Sequence, residues 1–217
     1  MGLEGGMYVV SSGIKRNDNN LVKQGWGMLQ NNIEKVSSFV RDFLNFAKGT
    51  IPNVELVDPS TIATEIVDLY KDAAKHSGIK LLNKLQKNID RAPMDPQGIY
   101  TCLANLMSNA IDACLMSDTK DAKIVFSLFE KNGTICYEVK DNGCGMGYEV
   151  KKKIFTNFFT TKGSGQGTGL GLLTTRKIVQ EHGGKVFFES TLEKGSVFRL
   201  EFPRSRLPLP EEKRNNL

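Results

Sequence analysis

The chain has 217 residues, 40% of them hydrophobic, and 29 Lys and Arg against 24 Asp and Glu give a formal net charge of +5. That length holds one good core plus an appendage. The modest charge, with no dense basic run carrying interleaved aromatics, argues against nucleic acid as a partner. No apolar run is long enough to cross a bilayer, and no secretory signal is visible. Cys102, Cys114, Cys136 and Cys144 show no metal-ligand pairing. They read as free or buried thiols in a reducing compartment, so the expected location is cytoplasmic. A membrane anchor in a longer native protein stays compatible with this reading.

The first expected element is a short helix with Leu3, Met7, Val10 and Ile14 on one face, ending near Lys15-Arg16-Asn17-Asp18. A longer helix follows. Val22, Trp26, Leu29, Ile33, Val36, Val40, Phe43 and Ala47 alternate steps of four and three, a heptad seam of about four heptads. Phe39 and Leu44 widen the stripe, which suits a bundle better than a two-stranded coil. The pair reads as a helical hairpin over residues 1–49. Gly49-Thr50-Ile51-Pro52-Asn53 is a breaker and connection.

Asp58-Pro59-Ser60 opens a helix running to about His76, and a strand is expected around Ile79 to Leu85. Asp95-Pro96 caps the next helix. Strands over Lys123–Glu130 and Thr134–Lys140 join at Asn132-Gly133, a hairpin signal. A helix opening at about Thr168 ends at Glu181-His182-Gly183-Gly184, with Gly183 as C-cap. Strands Lys185–Ser190 and Ser196–Phe202 flank a turn at Lys194-Gly195. The expected fold class is α+β: a two-layer α/β sandwich over residues 57–203, preceded by the helical hairpin. The tail from Arg204 to Leu217 is expected to fray.

Three motifs carry chemistry. Asn105 and Asn109 lie at i and i+4 of one helix, so both amides project from one face beside a core-like stripe. An amide oxygen is a hard neutral ligand, suited to Mg²⁺ that also holds phosphate oxygens. Asp141-Asn142-Gly143-Cys144-Gly145-Met146 follows a strand pattern. A carboxylate there can accept an amino-group hydrogen bond at a pocket floor; a plain Asp-Asn-Gly turn is the bland alternative. Gly165-Gln166-Gly167-Thr168-Gly169-Leu170-Gly171-Leu172 then runs into an apolar helix pattern. Dense glycines turn backbone N–H groups toward an anion, and the helix adds its positive end. The spacing fits neither the Walker form nor the dinucleotide fingerprint.

In this order the motifs resemble the ATP-binding domain of the GHKL superfamily, and within it the sensor histidine kinases of two-component systems. The resemblance implies a Bergerat-type ATP-binding fold and ATP with Mg²⁺ as cofactors. It implies that Asn109 holds Mg²⁺, Asn105 supports the phosphates, and Asp112 lines the same face. It implies that Asp141 binds the adenine amino group, with Gly143, Gly145 and Met146 lining the base pocket. Phe155, Phe158 and Phe159 match the Phe box at the hinge of a mobile lid, which the resemblance implies over roughly Gly147 to Gln166. Thr160 and Lys162 lie beside it, with Lys162 where the family often places a phosphate-contacting base. Gly167, Thr168, Gly169, Leu170 and Gly171 match the triphosphate cradle. Ser196 stands where the family commonly has Thr near the adenine. The catalytic set implied is Asn105, Asn109 and Lys162. The gyrase, heat-shock and mismatch-repair branches carry Glu where Asn105 stands, to activate water. Asn cannot act as a general base, so the resemblance implies phosphoryl transfer to a protein side chain.

The hairpin resembles the dimerisation and phosphotransfer hairpin of the same kinases, implying a homodimer and a response-regulator receiver domain as partner. One departure is large. The chain has two histidines, His76 and His182. Both sit at helix ends and read as a cation or dipole at a helix C-terminus rather than phosphoacceptors. The expectation is a truncated chain whose acceptor histidine lies upstream. The alternative is a nucleotide-gated interaction module that binds ATP without phosphotransfer.

Overall fold

The computed structural model describes residues 2–47, 52–162 and 167–208. They fall into two compact units, Met1–Gly49 with Thr160–Leu170, and Thr50–Phe159 with Gly171–Leu217. The expected breaker lies mostly outside the described residues, as do Gly165, Gln166 and residues 209–217. The side chains of Phe39 and Ala47 lie outside them too.

The first unit is built on a hairpin of α1 (Gly2–Lys15) and α2 (Asn19–Ala47). Asn17 takes a left-handed φ of 52° at the turn. Asp18 then caps α2, its Oδ1 accepting from the Asn20 N–H at 3.0 Å and the Leu21 N–H at 3.1 Å. The two backbones approach closely. A Cβ on Gly13 would lie 2.8 Å from the Val22 amide nitrogen, and one on Gly25 2.7 Å from that of Val10. The heptad seam is divided: Val22 and Leu29 face Gly13 and Gly6 of α1, whereas Trp26, Ile33, Val36, Val40 and Phe43, like Met7 and Ile14 of α1, are exposed in the single chain.

The second unit is a two-layer sandwich. Its sheet has the order β2-β4-β5-β7-β6, from β2 (Lys80–Leu85), β4 (Lys123–Lys131), β5 (Thr134–Asp141), β6 (Lys185–Thr191) and β7 (Gly195–Pro203). Only β2 and β4 pair in parallel. A parallel pair needs a crossover, and α4 (Pro96–Leu115) supplies it. The strands alternate as a half-covered sheet must. Ile124, Phe126 and Leu128 on β4, Ile135 and Tyr137 on β5, and Leu200 and Phe202 on β7 point inward and are fully buried. They meet Ile66 of α3 (Pro59–His76), Leu103 and Met107 of α4, and Val179 of α6 (Gly171–Glu181). Asp58 caps α3 by accepting from the Ser60 N–H at 2.8 Å, and Asp95 caps α4 by accepting from the Gly98 N–H at 3.0 Å. The β4–β5 hairpin turns on positive φ at Asn132 (51°) and Gly133 (69°), and Gly183 caps α6 with a φ of 70°.

Some elements differ from expectation. β1 (Glu55–Val57) and β3 (Ala92–Met94) form a separate two-stranded sheet, and α5 (Tyr148–Lys151) is one turn inside the segment expected to form a lid. All three are too short to show a period, and β3 contains Pro93. α6 begins at Gly171 rather than Thr168, because Gly169 has a φ of 68° and the Thr168 hydroxyl accepts the Leu170 N–H at 3.3 Å. The tail does not fray at Arg204. Its guanidinium grips Glu130 with Nε at 2.7 Å and Nη2 at 2.9 Å, and donates to the carbonyls of Arg91 and Asp90 at 3.0 and 2.7 Å. Among the described residues, no helix is long and apolar enough to cross a membrane.

Candidate functional site

The carboxylate end of the site is made by the last residue of β5 and the loop after it. Asp141 is 5% exposed. Its Oδ1 accepts from the Gly143 N–H at 2.9 Å and from the Ser196 N–H at 3.2 Å. Both bonds fall on one oxygen, so Oδ2 keeps acceptor capacity for a ligand donor. Burial pushes the Asp141 carboxyl above its ordinary value, and the Gly143 and Ser196 N–H groups pull it partly back. Gly143 has to be glycine because a Cβ would strike the Ala113 carbonyl at the end of α4. Gly145 has a φ of 61°, and a Cβ there would strike the Thr191 carbonyl. Met146 packs against the core beside them. Ser196 works through its backbone; its hydroxyl is shared with Ser190 Oγ at 2.9 Å, a partner the sequence did not single out.

The amide end is built on α4 and α6. Asn105 Nδ2 donates to the Gly171 carbonyl at 3.1 Å and to Thr175 Oγ1 at 3.4 Å. One turn earlier on α4, Cys102 Sγ donates to the Thr175 carbonyl at 3.7 Å. Thr175 is fully buried, and sequence reading passed over it because a Thr in an apolar helix stripe looks like packing. Asn109 and Asp112 follow at the next two turns of α4, both half-buried, so Asn105, Asn109 and Asp112 share a face. Among the described residues there is no cluster of three His, Cys, Asp or Glu that could hold a metal. A cation here would rest on amide oxygen and on oxygens brought by a ligand.

The Phe-rich segment splits in two. Phe155 sits edge-on to Phe188 with centroids 5.7 Å apart, with the Arg176 guanidinium 5.4 Å from its ring, and Phe159 is packed against the core. Phe158 is 53% exposed and holds a left-handed φ of 60°, rare for a bulky residue. Thr160, Lys162, Gly167, Thr168, Gly169 and Leu170 belong to the first unit. There the Lys162 N–H donates to Thr160 Oγ1 at 3.1 Å, and a Cβ on Gly167 would lie 2.8 Å from that same oxygen.

The two histidines differ. His76 is exposed at the end of α3, with Nδ1 at 2.7 Å from the Asp72 carbonyl. His182 is fully buried, with Nδ1 2.7 Å from the Ile178 carbonyl and Nε2 accepting the Asp95 N–H at 2.9 Å. Of the two readings at a helix end, cation or dipole, the contacts of His182 fit the dipole, because Nε2 accepts the Asp95 N–H. An imidazolium has no lone pair with which to accept that N–H.

Residues 94–206 match the family described as histidine kinase-, DNA gyrase B- and HSP90-like ATPase. The chain belongs to this family. A putative sensor protein of Shewanella frigidimarina is 32% identical over 81% of this chain, and sporulation kinase E of Bacillus subtilis is 27% identical over 88%. This chain spans about a quarter of the length of each, 26% and 25%. A nucleotide-free catalytic domain of histidine kinase ThkA is 32% identical, with a TM-score of 0.59 over 70% of this chain and 95% of its own. ThkA in complex with response regulator protein TrrA is 25% identical, with a TM-score of 0.72 over 97% of this chain and 60% of its own. The α4–α6 helices and the β5 carboxylate thus belong to an ATP-binding domain of the sensor histidine kinase type.

Proposed function

We propose that this chain is the ATP-binding catalytic region of a sensor histidine protein kinase, passing the γ-phosphoryl group of ATP to a protein histidine and thence to a response-regulator aspartate. The observation that carries the proposal is the Asn105 amide, which donates to the Gly171 carbonyl and the Thr175 hydroxyl. A carboxylate has no hydrogen to give that carbonyl. The position is built for a neutral amide, so a water-activating base is missing where the hydrolytic branches of the family keep one.

The roles follow from the chemistry of each group. Asp141 Oδ2 accepts from the adenine amino group, with Gly143, Gly145 and Met146 around the base. Asn109 is the residue to hold Mg²⁺, whose contribution would be neutralising charge on the phosphates. Asn105 orients α6 against α4 while Asp112 lines their common face. Phe155, Phe158 and Phe159 hinge the lid. Thr160, Lys162, Gly167, Thr168, Gly169, Leu170 and Gly171 supply N–H groups and positive charge to the triphosphate. Catalysis here is positioning and charge neutralisation. We place the hairpin at 1–49 and the catalytic domain at 57–203, in the cytoplasm. The exposed row Trp26, Ile33, Val36, Val40 and Phe43 supports a homodimer through the hairpin, since each side chain gains roughly 1.5–3 kcal/mol when fully buried.

The acceptor histidine is a partner in this proposal, because His182 is buried and His76 lies at the far end of α3. The test is labelled ATP given to the chain with and without a histidine-bearing dimerisation hairpin. Acid-labile, base-stable phosphate on that hairpin, eliminated by Asn109→Ala, is the expected result. Normal ATP binding with no transfer to any hairpin would favour a nucleotide-gated interaction module instead.

A further inference from the structure

His182 is a fully buried titratable group that the proposed chemistry does not use. Its two ring nitrogens have opposite partners. The Ile178 carbonyl only accepts, so Nδ1 carries the hydrogen; the Asp95 N–H only donates, so Nε2 is bare. The pair of contacts therefore fixes one neutral tautomer. The Phe202 ring stands edge-on at 6.0 Å, closing the imidazole off on the sheet side.

We infer that His182 is a positioning residue that sets the two helices of the phosphate end against each other, an inference that rests on the ATP-site reading. The bridge joins the C-terminal end of α6 to the residue that caps α4. Asp95 donates its main-chain N–H to His182 Nε2 while its carboxylate accepts from the Gly98 N–H. The helices run antiparallel from there, with contacts at successive levels. A Cβ on Gly98 would sit 3.2 Å from Ile178 Cγ2, Cys102 meets Thr175, and Asn105 meets Gly171 and Thr175. Ten residues of α4 separate Asp95 from Asn105, about 15 Å at the rise of a helix. His182 is fully buried at the opposite end of these contacts from Asn105, and it fixes the base of the frame that presents Asn105, Asn109 and Gly171. Asp141 lies on β5, outside this frame.

Two replacements separate the ring's functions. His182→Gln keeps an acceptor near the Nε2 position, and His182→Asn keeps only a donor near Nδ1. Calorimetry with MgATP and with adenosine reads the two ends of the site separately. We expect His182→Asn to bind MgATP about five- to tenfold more weakly with adenosine affinity unchanged, and His182→Gln to stay within about twofold of the parent for both. Equal loss for both ligands, or no loss in His182→Asn, would overturn the inference. The unaltered protein supplies a second test if His182→Asn does not fold. Its ¹⁵N imidazole spectrum should show the Nδ1–H tautomer at His182, with Nε2 shifting on MgATP addition and not on adenosine addition, because coupling between sites is reciprocal. An Nε2–H tautomer, or no response to MgATP, would rule it out. A parent protein that binds neither ligand would sink the proposed function rather than this inference.

Discussion

The two ends of the proposed nucleotide site are made differently. At the base end, Asp141 is held by the backbone N–H groups of Gly143, in the loop after β5, and of Ser196 on β7. At the phosphate end, the ties are side chains between two helices, Asn105 to Gly171 and Thr175 and His182 to Asp95. A carboxylate fixed by a strand end is preformed for one flat donor. A frame of two helices can be adjusted, which suits a group that must be held and then handed on.

That contrast is most sharply broken at Asp141. Asp141→Ala removes a charged acceptor from a buried site, worth roughly 1.5–3 kcal/mol, so ATP, ADP and adenosine should all weaken about ten- to hundredfold. Titration calorimetry reads this directly, and unchanged affinity would remove the base-binding assignment. Asn109→Ala should behave otherwise. It should weaken MgATP about tenfold and leave adenosine almost untouched. Equal losses for the two ligands would mean that the site has no separate ends.

The same contrast explains what the sequence made legible. Asp141, Gly143 and Gly145 stand in one short run, and their demands are local: a strand end, a backbone collision, a positive φ. Asn105 and Asn109 were legible because a helix puts i and i+4 on one face. What stayed hidden is what joins distant segments. Thr175 and Asn105 are 70 residues apart, Asp95 and His182 are 87, and no spacing rule links them. At His182 the sequence left a cation or a dipole at a helix end open, and it took the Ile178 carbonyl and the Asp95 N–H, together asking for a donor at Nδ1 and an acceptor at Nε2, to choose. The two-stranded β1–β3 sheet and the Arg204 anchor are likewise long-range pairings of very short segments.

A smaller effect concerns pH. Burial raises the Asp141 carboxyl above its ordinary value. The ionised form is the acceptor, so nucleotide affinity should fall on acidification, starting at a pH above the ordinary aspartate range. The stability term has the opposite sign. Between the ordinary and the raised value the folded chain binds more protons than the unfolded one, so this group's contribution improves as pH falls. Binding measured against pH should therefore weaken where melting shows no loss from Asp141, and Asp141→Asn should flatten the binding profile. A parent profile that is itself flat down to the ordinary carboxylate range would contradict the assignment.

The smallest expected effect lies far from the nucleotide. Arg204 and Glu130 are partly exposed, with about a quarter of each side chain open (27% and 23%). Solvent screening limits what such a pair contributes. The guanidinium also satisfies the Asp90 and Arg91 carbonyls, which tie the segment before β3 to the chain after β7. Arg204→Ala should lower stability by about 1–2 kcal/mol, the range for charge-assisted hydrogen bonds lost at a half-open site. Hydrogen bonding to Arg204 holds the Glu130 carboxyl below its ordinary value. Its contribution is thus fully present above the ordinary glutamate value and is lost as pH falls through the lowered one. Denaturant unfolding of the parent and of Glu130→Gln should converge in acid and separate toward neutral pH. ATP affinity in both should be the same, because neither residue belongs to the α4–α6 frame or to the Asp141 loop. A change in affinity would show that the C-terminal anchor is coupled to the site.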